Sequence, residues 1–201
     1  MSSKREIEAP QEGAAMIDVN DLRKGTTFIL EGQIYEVLEY QHHKPGRGNA
    51  FIRTKLRNLR TGAIIDKTFL SGDRVQDIRV ENREVQFLYW DSDLYYMMDT
   101  QTYEQIPVPA ERLGEAVNFL KEGITLILRE YEGEPLGVEL PVTVDLRVVE
   151  AEPGVKGDTA SGADKWVVVE TGYRLRVPLF VNEGDIVRID TRTGEYVTRV
   201  S

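Results

Sequence analysis

Short segments rich in Val, Ile, Leu, Tyr and Phe recur along this chain, each closed by a glycine-containing turn, and this rhythm constrains its fold more than any other feature. The turns return about every ten residues, too often for long helices and often enough for short antiparallel strands. Apolar and polar residues alternate within many of the segments, which gives a strand one face for a core and one for water. The pattern predicts an all-β protein built of antiparallel barrels or sandwiches. Helical periodicity is rare. The best helix candidate is Ala110–Glu122, where Leu113, Ala116, Val117 and Leu120 share a face, Pro109 suits the start and Gly123 the stop.

Three stretches echo one another: Lys24-Gly25 through Gly32 to Tyr35, Glu122-Gly123 through Gly133, and Glu183-Gly184 through Gly194 to Tyr196. Seven residues separate the paired glycines in the first stretch and ten in the other two, so the first unit is expected to differ in topology from the second and third. Boundaries near Arg79–Asn82 and Pro141–Asp145 then divide the chain into domains 16–80, 81–143 and 144–201. Residues 1–15 hold almost no large apolar side chains and are expected to form a flexible extension.

With 41% hydrophobic and 29% charged residues, the chain as a whole is a globular protein and not a disordered one. It lacks cysteine, which removes disulfides, thiolate metal sites and cysteine nucleophiles together. No apolar run reaches the roughly 18 residues that span a bilayer, and the first 15 residues lack the apolar core of a signal peptide. A cytoplasmic protein with no membrane partner is expected.

The formal net charge of -9 disfavours nucleic acid as a partner until its distribution is considered. Residues 1–80 carry 13 Lys and Arg against 11 Asp and Glu, or +2; residues 81–201 carry 12 against 23, or -11. Within the first part, Tyr40–Ile65 holds Lys44, Arg47, Arg53, Lys55, Arg57 and Arg60 with no acidic residue. Two strand-like runs, Gln33–Gln41 and Asn49–Leu59, flank Lys44-Pro45-Gly46-Arg47-Gly48, a hairpin turn in which proline fixes one angle and glycines frame the arginine. Period two puts Phe51, Arg53, Lys55 and Arg57 on one face of the second strand and Ala50, Ile52, Thr54 and Leu56 on the other. A basic face with one aromatic suits RNA backbone contact. The competing reading is a solvated strand face, but such faces usually mix signs.

Catalytic and metal signals are poor. His42 and His43, adjacent on a strand, point to opposite faces and do not chelate one metal easily. Gly46-Arg47-Gly48-Asn49-Ala50-Phe51 opens like a dinucleotide fingerprint, yet Phe51 stands at the third glycine position and a strand follows. Asp91-Ser92-Asp93 reads as a turn between strands. No serine sits in a nucleophile elbow. No enzyme, metal or cofactor is expected.

Three motifs, Lys44-Pro45-Gly46-Arg47-Gly48-Asn49-Ala50-Phe51, Gly157-Asp158-Thr159-Ala160-Ser161-Gly162 and Asp190-Thr191-Arg192-Thr193-Gly194-Glu195-Tyr196-Val197, resemble those of bacterial translation elongation factor P from about Met16 to Ser201. The resemblance implies an SH3-like (KOW-type) barrel followed by two OB-fold barrels in an L-shaped, tRNA-like arrangement. It implies a monomer that binds the ribosome between the P and E sites and relieves stalling at consecutive prolines by positioning P-site tRNA. Arg47 takes the place of the tip residue near the tRNA end, with Lys44, Pro45, Gly46, Gly48, Asn49, Arg53, Lys55 and Arg57 forming the tRNA-binding hairpin. Gly157, Asp158, Thr159 and Gly162 match the segment near the E-site mRNA codon, and Tyr196 and Arg199 match positions facing the small subunit; the lesser alternative for Tyr196 is that it caps a barrel. Lysine tips in the family carry β-lysyl-lysine, and rhamnosylated arginine tips sit in a Ser-Gly-Arg-Asn type of loop. Here Pro45-Gly46-Arg47-Gly48 joins a lysine-type loop to an arginine tip, so the modification of Arg47, and a modifying enzyme as partner, stay open. The other class to weigh is a general OB-fold module for single-stranded RNA or oligosaccharide.

Overall fold

The computed structural model describes residues 15–154 and 163–201. The expected extension falls outside these residues except for Ala15. Strands β1 (Met16–Asp18), β2 (Thr27–Leu30), β3 (Gln33–His43), β4 (Phe51–Asn58), β5 (Ile64–Leu70) and β6 (Arg74–Asp77) form one sheet in the order β1-β6-β2-β3-β4-β5. Their inward residues Phe28, Val37, Ile52, Leu56, Phe69 and Val75 close on Val19 and Leu22. A second sheet, β11-β10-β7-β8-β9, is made of β7 (Glu81–Asp91), β8 (Leu94–Asp99), β9 (Gln105–Pro109), β10 (Thr125–Tyr131) and β11 (Glu134–Glu139). The third, β14-β13-β12-β15-β16, is made of β12 (Thr143–Ala151), β13 (Asp164–Val169), β14 (Arg174–Pro178), β15 (Ile186–Asp190) and β16 (Tyr196–Arg199). Counted from its own first strand, each five-stranded sheet has the order fifth, fourth, first, second, third, whereas the six-stranded sheet does not. The difference in glycine spacing therefore reported a difference in topology.

The sequence echo also has a physical basis. In each sheet a long strand is bulged, β3 at Val37/Glu39, β7 at Phe87/Tyr89 and β12 at Val148/Glu150. At each bulge the strand residue is held by the first glycine of an echo. Gly25 N–H donates to Val37 C=O and Val37 N–H to Thr26 C=O; Gly123 and Ile124 do the same for Phe87, and Gly184 and Asp185 for Val148. All three glycines have positive φ, between 85° and 91°. A bulge leaves ladder groups unpaired, and a left-handed glycine turn supplies the missing partners.

The expected helix is shorter than its periodicity suggested. An α-helix covers Ala110–Leu113 (α1), with Pro109 as its N-cap, and Gly114–Phe119 continues as a 3-10 helix. Gly114 stands at φ +52° and ψ -129°, which ends the α-helical ladder one turn in. Leu113 and Leu120 are still buried, and Ala116 and Val117 pack against the same core.

The chain forms two compact units: residues up to Glu81 with Glu130–Gly137, and Asn82–Arg129 with Val138–Ser201. In the first, Ile34, Ile78 and Leu136 make a second small core. Beside it Arg60 grips Glu134 with two hydrogen bonds of 2.9 and 3.0 Å and donates a third, of 2.7 Å, to Gly32 C=O. The carboxylate holds the Arg60 pKa above its ordinary value through the hydrogen bond, against burial. In the second unit Phe119 enters the core formed by Val144, Leu146, Val148, Val167 and their neighbours, and Thr171 Oγ1 donates to Asn118 C=O at 2.6 Å.

Candidate nucleic-acid interface

Strands β3 and β4 pair from Tyr35 with Asn58 to His43 with Phe51. In β4 the residues Ile52, Thr54, Leu56 and Asn58 are buried while Arg53 and Arg57 are exposed, and Phe51 and Lys55 are intermediate. This is the expected alternation. Lys44, Pro45, Gly46, Arg47, Gly48 and Asn49 are all exposed, and Arg47 makes no hydrogen bond or ion pair among the described residues. Of the two framing glycines, only Gly48 needs to be one: its φ is +106°, whereas Gly46 has an ordinary φ and open space where a Cβ would stand. Gly48→Ala is expected to move the tip and Gly46→Ala to leave it in place, as amide chemical shifts of Arg47 and Asn49 would report.

Pairing with β3 and β5 alters the basic face in a way no linear reading could show. Each β4 side chain stands between one neighbour on either side: Phe51 between His43 and Leu70, Arg53 between Gln41 and Thr68, Lys55 between Glu39 and Asp66, Arg57 between Glu36 and Ile64. Lys55 Nζ is 3.5 Å from Glu39 Oε1, so its charge is partly balanced. Arg60 belongs to the Glu134 pair and not to the face. Positive potential is thereby concentrated toward the tip, on Arg53, Lys44 and Arg47. At the base of the loop His43 stacks on Phe51 at 5.0 Å, and the Arg53 guanidinium lies 5.4 Å from the same ring. His42 faces away, 6.0 Å from Tyr40. The brace of His43 and Phe51 was missed in the sequence; their pairing depends on a seven-residue loop length that only the register fixes.

In the third sheet Tyr196 is half-buried against the barrel core, and Arg199 is exposed, 3.5 Å from Asp185 Oδ2 and 5.1 Å from the Phe180 ring. Gly157, Asp158, Thr159 and Gly162 lie outside the described residues. The Asp190–Glu195 motif builds a turn: Gly194 N–H donates to Asp190 C=O, Thr191 Oγ1 to Pro141 C=O at 2.6 Å, and Arg192 Nη2 to Asp190 Oδ2 at 2.7 Å. The Arg192 side chain, then its backbone N–H, lower the Asp190 pKa to about 2. A depressed carboxylate contributes stability above its unfolded value, here about 3.8, and that contribution is lost as pH falls through about 2. Carboxyl NMR titration is expected to place Asp190 near that low value, and Arg192→Ala to bring it back toward 3.8.

An open depression of about 310 Å³ between Lys121 and Arg188 offers no free cation to a ligand, since Lys121 is 3.7 Å from Glu170 and Arg188 is 2.8 Å from Asp145. Among the described residues no group of three or more His, Cys, Asp or Glu is placed to hold a metal. No helix among them is long and apolar enough to cross a membrane.

Three family models match successive parts of the chain: the elongation factor P KOW-like domain over 18–75, its OB domain over 80–138 and its C-terminal domain over 144–199. Elongation factor P of Moorella thermoacetica is 53% identical over 184 residues, and that of Acetivibrio thermocellus 52% over 185; each comparison covers 92% of this chain and all of the relative. In fold, 65% of the chain is similar to 94% of eukaryotic translation initiation factor 5A from Methanococcus jannaschii, with TM-score 0.51 and 22% identity. A KOW-like barrel leading an exposed basic hairpin, followed by OB architecture, defines a barrel-built translation factor. The chain belongs to the elongation factor P family and is a translation elongation factor.

Proposed function

We propose that the protein binds the ribosome between the P and E sites and stimulates peptide-bond formation, relieving stalling at consecutive prolines by positioning P-site tRNA. The observation that carries this reading is Arg47, exposed and unpaired at the tip of a two-stranded finger braced at its base. A guanidinium is charged at any working pH and offers five donors in a plane, which suits tRNA phosphate or sugar with or without a covalent extension by a modifying enzyme. The contribution is positional: the tip holds the peptidyl-tRNA end in a reactive geometry and supplies no nucleophile, general base or metal. Lys44, Pro45, Gly46, Gly48, Asn49, Arg53, Lys55 and Arg57 form the tRNA-facing hairpin. Gly157, Asp158, Thr159 and Gly162 meet the E-site codon region, and Tyr196 and Arg199 meet the small subunit. The acidic balance of residues 81–201 limits nonspecific RNA capture. On this reading the protein is a cytoplasmic monomer with domains 16–80, 81–143 and 144–201, and it is not an enzyme.

Adding the full chain to a reconstituted translation system programmed with consecutive proline codons tests the proposal. Synthesis through the prolines is expected to accelerate, while messages without them respond little. Ribosome co-sedimentation set against filter binding to free oligonucleotide at matched salt separates this reading from a general RNA-binding module, for which tight binding to free RNA is expected.

A further inference from the structure

The end of the β7–β8 hairpin carries aromatic rings that its core does not absorb. Trp90 is 62% exposed and Tyr89 49%. Tyr89 stacks on its cross-strand partner Tyr96 at 4.6 Å and 18°, and on the opposite face of the hairpin Trp90 stacks on its partner Tyr95 at 6.3 Å and 22°. Tyr95 is anchored in turn, 5.8 Å from the core ring of Phe87. Strand pairing sets Tyr89, Tyr96 and Pro107 in one row and Asp91, Leu94 and Pro109 in the next. The hairpin turns through Asp91, Ser92 and Asp93, all exposed, and no cation pairs with Asp91 or Asp93 among the described residues.

Solubility alone gives no reason to hold large rings in ordered stacks facing water, whereas a protein interface does: rigid Tyr and Trp side chains lose little entropy and bury much area on contact. Two features select the occupant. The outer strand β9 has prolines at 107 and 109, which lack the N–H needed to add a strand, so contact is with the face and not the edge. The free carboxylates, in a part of the chain that carries -11, repel phosphate and attract cations. A guanidinium can lie flat on an exposed ring and also reach a neighbouring carboxylate with paired hydrogen bonds. We propose that the Tyr89 and Tyr96 surface, with Asp91 and Asp93 at its rim, is a docking site for an arginine-rich segment of a protein partner.

Titrating the full-length chain with a synthetic peptide of alternating Arg and Gly, about twelve residues long, is expected to give a saturable heat of binding in calorimetry. Tyr89→Ala, or Asp91→Asn together with Asp93→Asn, should weaken binding about tenfold. A Lys-Gly peptide should bind more weakly than the Arg-Gly one, because an ammonium has no flat face to stack. Oligouridylate of similar length should give no change. All three positions are exposed, so thermal melting is expected to show the variants folded. Absence of saturable binding to about millimolar peptide, equal affinity in the Tyr89→Ala variant, or displacement of the peptide by oligouridylate would each overturn the proposal. Peptide binding does not involve the ribosome, so its failure leaves the reading of Arg47 untouched.

Discussion

Arg47→Ala is expected to slow synthesis through consecutive prolines by about tenfold or more while changing ribosome affinity by less than about threefold. The loop from Lys44 to Asn49 is exposed throughout, and Arg47 has no partner within the described residues, so removing its side chain takes nothing from the fold. The strands below keep their register from Tyr35–Asn58 to His43–Phe51, and one lost cation in a large charged interface shifts binding only slightly. Arg47→Lys separates charge from shape: it keeps the positive charge but loses the planar set of five donors, and should recover part of the activity. A rapid-kinetic assay on a message encoding consecutive prolines, paired with ribosome co-sedimentation, reads both quantities. Wild-type rates from the Ala variant would mean that the tip does no positioning.

Gly194→Ala is expected to destabilise the second unit by about 2–4 kcal/mol. The residue sits at φ +75°, where an L side chain is strained. A Cβ at this position would also overlap the Tyr173 hydroxyl, which donates to Gly194 C=O at 2.9 Å. Tyr173 packs edge-on against Phe119 at 5.1 Å, so the ring cannot move aside without disturbing the core that Phe119 enters. Urea denaturation should show a lower midpoint at unchanged slope. In a Tyr173→Phe background the same substitution should cost less, because the overlapping oxygen is gone and what remains is backbone strain and a tight contact with the ring carbon Cζ at 3.3 Å. Equal costs in the two backgrounds would show that the hydroxyl does not enforce glycine at this turn.

This second prediction bears on what a motif means. Asp190–Val197 is one of the three stretches that carry the resemblance, and its residues are largely engaged in making a turn: Asp190 with Arg192, Thr191 with Pro141, Gly194 with Tyr173. Tyr196 likewise rests on the barrel core. Identity at such positions reports shared architecture first.

The sequence by itself determined the class of fold, because strand alternation and turn-forming glycines are local properties that each segment expresses wherever it sits. The alternation in β4 and the presence of one odd sheet and two alike were legible in this way. So was the exposed turn at Arg47, since proline and glycine act within a few bonds. Only the tertiary structure decided which charges remain free. Lys55 is flanked by Glu39 and Asp66, and Arg60 is bound by Glu134, because sheet pairing and packing join residues distant in sequence. It also decided that the aromatic side chains of β7 and β8 stack in exposed pairs beside unpaired carboxylates, since register sets which rings meet and the barrel sets which of them it can bury.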